Sequence, residues 1–141
     1  MKACVIYFSL YGNTRRFAEA ISNYLKIPVF DLTNSNPSIV ENFDLIILGT
    51  PVHGFSPARR VLSFVKNLPE GKGKKSIIFC TYAIRKGRTL KKLENELGDK
   101  GYTTILSVSK RGLKISTQDF SDAINEIETV LEEEVHARIF H

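Results

Sequence analysis

Cysteine is scarce in this sequence. Cys4 and Cys80 are the only two; each lies in an apolar segment, and neither has a partner at metal-ligand spacing. A structural zinc site normally needs four clustered ligands, so none is expected, and sparse thiols in apolar strands fit a reducing, cytoplasmic compartment. Long apolar runs are missing as well. Nothing approaches the roughly 20 residues that span a bilayer. The N-terminal Met1–Tyr7 has no long apolar core and no small-residue cleavage site, so neither a membrane span nor a signal peptide is expected. Internal repeats and low-complexity linkers are also absent.

What remains is a chain of 141 residues, 43% of them hydrophobic, which fits one domain over 1–141. A domain of this size buries roughly two-thirds of its unfolded surface and needs no disulfide or metal to stand. The net charge of +5 is unevenly spread. Residues 56–114 hold 15 Lys/Arg against 4 Asp/Glu, whereas residues 115–141 hold 1 Arg against 7 Asp/Glu. A regional basic excess steers anionic partners. With no recognition helix, zinc motif or basic–aromatic strand pattern, specific nucleic-acid binding is not expected.

Short β-branched and aromatic runs alternate with segments of helical period. Strands are expected at Lys2–Phe8, Pro28–Leu32, Asp44–Gly49, Ser76–Thr81 and Tyr102–Ser109. Helices are expected from Asn13 or Thr14 to Leu25, from Pro57 to Asn67, from Arg88 to Lys100, and from about Gln118 to about Val135 behind a Ser116 or Thr117 cap. Asn34–Asn42 reads as a polar loop with at most one helical turn. Strands that are apolar throughout and separated by helices indicate an α/β domain. The expected architecture is a five-stranded parallel sheet with helices on both faces.

Ligands of such sheets bind beyond the carboxyl ends of the strands. After the first strand comes Ser9-Leu10-Tyr11-Gly12-Asn13-Thr14, which places two hydroxyls, an amide and a glycine where a helix opens. Free N–H groups and the helix dipole make that turn an anion site, with a phosphate as the natural occupant. The turn lacks the Gly-Lys-Ser/Thr of nucleotide P-loops and the G-x-G-x-x-G of dinucleotide folds.

The run Tyr7-Phe8-Ser9-x-Tyr11-Gly12-Asn13-Thr14 resembles the phosphate loop of the flavodoxins. Gly49-Thr50-Pro51-Val52-His53-Gly54-Phe55-Ser56-Pro57 is similar to the family segment beside the isoalloxazine ring, and Cys80-Thr81-Tyr82-Ala83-Ile84-Arg85-Lys86-Gly87 to its third loop. All three follow expected strands in register, and the fifth strand lacks the long insertion of larger flavodoxins. The resemblance implies a flavodoxin-like fold with FMN as cofactor. Ser9, Tyr11, Gly12, Asn13 and Thr14 would hold the phosphate. Thr50, Pro51, Val52, His53, Gly54, Phe55, Thr81, Tyr82, Ala83 and Gly87 would border the ring. With no Trp in the chain, Phe55 or His53 would flank one ring face and Tyr82 the other. Arg85, Lys86 and Arg88 replace small or acidic residues near the ring, and such cations favour a more negative, reduced flavin. Cys80 adjoins this loop and reads as core rather than as a reactive thiol.

The function implied is an electron carrier between redox partner proteins, with an acidic partner matching the basic segment. The alternative is an FMN-dependent oxidoreductase acting on a quinone or a porphyrin precursor. A flavin-free binding module is disfavoured by the intact Ser9–Thr14 turn.

Overall fold

The computed structural model describes residues 1–112 and 120–139. Five strands form a parallel sheet: β1 (Ala3–Tyr7), β2 (Val29–Asp31), β3 (Leu45–His53), β5 (Lys75–Tyr82) and β6 (Thr103–Arg111), in spatial order β2-β1-β3-β5-β6. A sixth, two-residue strand β4 (Ser56–Pro57) pairs antiparallel with the end of β3. Helices α1 (Asn13–Leu25), α2 (Arg59–Lys66), α3 (Thr89–Asp99) and α4 (Ser121–Ile139) cover the sheet.

Strand pleating sorts the core into two layers. Val5, Tyr7, Leu45, Ile47, Ile77 and Phe79 face α1 and α4, where they meet Phe17, Ile21, Phe120 and Ile127. Cys4, Ile6, Ile46, Leu48 and Ile78 face the other way, onto Val61 and Val65 of α2 and Leu93 and Leu97 of α3. Both faces of the central strands β1, β3 and β5 are covered, which is why these strands carry no polar alternation. Gly49 lies under the ring of Phe79: a Cβ there would stand 2.0 Å from the ring Cζ. Phe79 in turn contacts Phe17, which stacks on Phe120 with centroids 4.5 Å apart. Tyr24, on the outer side of α1, is exposed.

Several boundaries differ from the sequence expectation. The polar segment before β3 carries two 3-10 turns, Leu32–Asn34 and Pro37–Asn42, started by Asp31 and Asn36 side chains that accept from Thr33 N–H and Ser38 N–H. Strand β3 runs four residues past Gly49, because Thr50 and Pro51 still pair with Cys80 and Thr81 before the strand turns back as a hairpin. Pro57 does not start α2. It pairs with Val52 in that hairpin, and the helix begins at Arg59. Strand β6 is continuous but bulged, since Ser76 pairs with Thr104 and Ile77 with Leu106. Helix α4 continues to Ile139, beyond the expected Val135. Its expected cap at Ser116 or Thr117 and start at Gln118 lie outside the described residues. Among the described residues no helix is long and apolar enough to cross a membrane.

Candidate functional site

In a sheet ordered β2-β1-β3-β5-β6 the chain reverses its direction of travel across the sheet between β1 and β3, and the crevice there opens at the carboxyl ends of the strands. The three loops singled out by sequence meet at that edge. Ser9–Gly12 lead from β1 into α1, Gly54–Phe55 form the β3–β4 turn, and Ala83–Arg88 lead from β5 into α3.

Helix α1 starts without a side-chain cap. Neither Asn13 nor Thr14 is the cap residue; Gly12 is, in a left-handed conformation at φ 94° that glycine adopts without strain. Gly12 N–H donates to Ser9 Oγ at 3.1 Å, and its carbonyl accepts the first helical bond from Arg16 at 3.0 Å. The N–H groups of Asn13, Thr14 and Arg15 therefore open the helix with no intrahelical acceptor. Two guanidiniums converge on the same point. A Cβ placed on Gly12 would lie 3.7 Å from a terminal nitrogen of Arg16 and 3.8 Å from one of Arg15. Arg16 also donates to Asn13 Oδ1 at 2.9 Å, and Arg15 stands 3.8 Å from Glu19. Free backbone donors, a dipole and two cations converge here, an arrangement suited to an anion.

Thr14 is buried, and its hydroxyl shares a hydrogen bond of 2.7 Å with the hydroxyl of Thr81 at the end of β5. The first and third loops are thus joined at their roots. Tyr11, by contrast, is 87% exposed.

The second loop is a two-residue hairpin turn in which Gly54 and Phe55 both have positive φ, as a tight turn matched to strand twist requires. Phe55 holds φ 63° without being glycine, a strained conformation. Thr50 is buried; its hydroxyl donates to Pro51 O at 2.8 Å and accepts from Ala58 N–H at 3.1 Å, bracing the hairpin from within. Pro51 and Val52 are half-buried. His53 packs edge-on against Phe8 with centroids 6.5 Å apart, while Phe55 is 57% exposed.

The third loop closes on the second. A Cβ on Gly87 would fall 2.7 Å from the carbonyl oxygen of Phe55, so glycine alone allows this approach. Strand β6 braces the loop from the far side: Gly112 N–H donates to Tyr82 O at 3.1 Å and Arg111 Nε to Ala83 O at 3.2 Å. Lys86 reaches Ser109 Oγ at 3.4 Å, and Lys92 of α3 reaches Ser56 Oγ of the hairpin at 2.9 Å. Cys80 is fully buried, and burial pushes its thiol up to about 12 despite the opposing charge of Lys86.

Sequence reasoning missed Arg15 and Arg16, the Arg111 and Gly112 brace, and the Lys92 tie. The arginines adjoin the phosphate-type turn and were legible by position. The others join residues 28 to 36 positions apart, for which the sequence carries no local signal.

The flavodoxin domain family matches residues 4–119. The chain belongs to the flavodoxin domain family. An uncharacterized protein of Methanocaldococcus jannaschii is 29% identical to this flavodoxin-family chain over 105 residues, 72% of this chain and 69% of its own length. Flavodoxin 1 of Bacillus cereus superposes with a TM-score of 0.74 at 25% identity, covering 89% of this chain and 93% of that one. The Megasphaera elsdenii flavodoxin, solved in its two-electron reduced form, gives 0.70 at 27% identity over 77% and 85% of the two chains. The rubredoxin oxygen:oxidoreductase of Desulfovibrio gigas shares the fold at a TM-score of 0.79 and 15% identity, 94% of this chain matching 35% of that one.

Proposed function

We propose that this chain works as one flavodoxin-like domain that binds FMN and carries electrons between partner proteins. The observation that carries the reading is the uncapped start of α1, where Gly12 leaves three N–H groups open and Arg15 and Arg16 converge. The donor set fits a phosphate monoester: backbone N–H groups from Asn13, Thr14 and Arg15 supply direction, and the guanidiniums supply charge. Ser9 keeps Gly12 in its left-handed conformation. Backbone groups of Thr50–Gly54 and of Thr81, Tyr82 and Ala83 would border the ring, and the close approach of Gly87 to Phe55 joins the two loops that would hold it. When bound, FMN supplies reversible one- and two-electron chemistry, while the protein holds it and sets its electrostatic surroundings. Arg85, Lys86 and Arg88 would add positive charge there and favour the more negative, reduced cofactor.

A carrier is favoured over an oxidoreductase for small molecules because β6 runs from Thr103 to Arg111 with a single-residue bulge and no insertion to build a substrate pocket. Anaerobic redox titration of the FMN-loaded protein, followed by visible absorbance, tests the reading. Two resolved one-electron steps are expected. A single two-electron step, with turnover of a quinone, would favour the enzyme reading. Failure to take up FMN would overturn the cofactor assignment.

A further inference from the structure

The carboxyl edge of the sheet holds more than the three loops need. Of the eight large apolar side chains exposed among the described residues, four project from these loops: Tyr11 at 87% and Phe55 at 57%, which the FMN reading uses, and Leu10 at 56% and Ile84 at 75%, which it does not. Beside them, Phe8, Leu10, His53, Pro57 and Leu62 line a groove of about 470 Å³ whose outer wall is Arg59 and Arg60.

Exposed cations surround this apolar centre: Arg59 and Arg60 at the start of α2, Arg85, Lys86 and Arg88 in the third loop, and Lys92 in the first turn of α3. None of the six pairs with a described carboxylate; Arg15–Glu19 and Arg138–Asp44 are ion pairs seen among the described residues. The first turns of α1, α2 and α3 hold no acidic residue. Cations at helix starts oppose the helix dipole, so helix stability does not account for them. Asp44 just before β3, Glu70 ahead of β5 and Asp99 closing α3 sit toward the other end of the sheet, while Asp31 at the end of β2 and Asp122 in the first turn of α4 lie at the carboxyl edge.

We infer that this edge docks an acidic partner protein, which seats an apolar side chain in the Leu10–Leu62 groove and sets carboxylates against Arg59, Arg60, Arg85 and Arg88. The inference rests on the carrier reading above and names the partner's surface. An apolar groove flanked by exposed aliphatic side chains inside an arginine rim matches the composition of protein interfaces. Nucleic-acid interfaces are more polar throughout. The cationic rim steers an acidic surface inward and repels a basic one.

The test uses two carrier proteins of opposite charge as probes, an acidic plant-type ferredoxin and basic cytochrome c, with a single-stranded oligonucleotide as competitor. Binding to the FMN-loaded protein is followed by fluorescence anisotropy between roughly 0.01 and roughly 0.15 M salt. The ferredoxin is expected to bind and to weaken as salt rises, whereas cytochrome c does not bind. The R59E/R60E variant is expected to weaken the ferredoxin about tenfold or more at low salt while leaving FMN uptake unchanged. Its new carboxylates suit a helix start, so the fold is not at risk. Leu10→Ser, which changes no charge, should weaken binding without altering the salt slope. Absence of ferredoxin binding, or binding indifferent to R59E/R60E, would overturn the inference. An oligonucleotide that displaces ferredoxin and binds more tightly would assign the edge to nucleic acid instead. The same titration on FMN-free protein separates the two readings. Docking without FMN uptake would sink the carrier reading alone, and FMN uptake without docking the surface alone.

Discussion

The hydroxyl pair Thr14–Thr81 joins the start of α1 to the end of β5 across 67 residues and away from water. Removing one partner leaves the other buried and unsatisfied, which costs about 1–3 kcal/mol. Thr81→Val is therefore expected to lower FMN affinity by roughly tenfold or more, with riboflavin, which lacks the phosphate, much less affected. Thr81→Ser should restore binding. Parallel fluorescence titrations with the two flavins check this, and equal losses for both would place the effect in the fold rather than at the phosphate. Cys80 makes a second case at this scale. Fully buried, with its thiol pushed up to about 12, it is protonated at neutral pH and shielded from reagents. Iodoacetamide should leave it unmodified in the native protein and alkylate it in denaturant. Mass spectrometry showing native-state labelling would mark it as a reactive thiol after all.

Among the elements, β3 is the one whose residues do two jobs. Its apolar Leu45–Leu48 stretch fills the centre of the sheet, and its last four residues carry the ring-side hairpin. Gly49 marks the change, because the Phe79 ring occupies the space that a side chain would take. Gly49→Ala is expected to destabilise by about 1–3 kcal/mol through overpacking, lowering the Tm by roughly 2–4 °C for each kcal/mol. Combining it with Phe79→Leu should recover part of the loss, since the double change returns volume to the same site. Differential scanning calorimetry of the three variants decides it; an additive double mutant would show that the ring is not the obstacle. The start of α2 was misread at this scale. Pro57 suits a first helical turn as well as it suits an edge strand, and only its pairing with Val52 selects the strand.

For the whole molecule, Asp44 ties distant parts of the chain together. Its carboxylate accepts from Lys2 N–H at 2.7 Å and faces Arg138 near the end of α4 at 3.2 Å. The Lys2 hydrogen bond first, and Arg138 second, hold its pKa below the ordinary Asp value. A folded-state pKa lower than the unfolded one means stability present above the usual range near about 4 and lost as pH falls through the folded value. Asp44→Asn should thus lower stability at neutral pH and narrow the gap to wild type in acid. The group is exposed, so the effect is small. Urea unfolding at neutral and acidic pH measures it, and a gap that widened in acid would contradict the assignment.

Much of this protein was determined by the sequence alone. Apolar runs of strand length between segments of helical period imposed an α/β sheet covered on both faces, because local periodicity decides which side chains share a face. The Ser9–Thr14 turn was legible for the same reason: its glycine, hydroxyls and helix start are neighbours in the chain. What only the tertiary structure decided are relations between remote residues. They include the Thr14–Thr81 bond, the closing of Gly87 on Phe55, the bracing of the third loop by β6 and the gathering of basic residues from three helices at one edge. Each depends on the strand order, which brings the carboxyl ends of β1, β3 and β5 side by side. Contacts across such distances leave no periodic trace in one sequence, since nothing in the spacing of residues records which strands become neighbours.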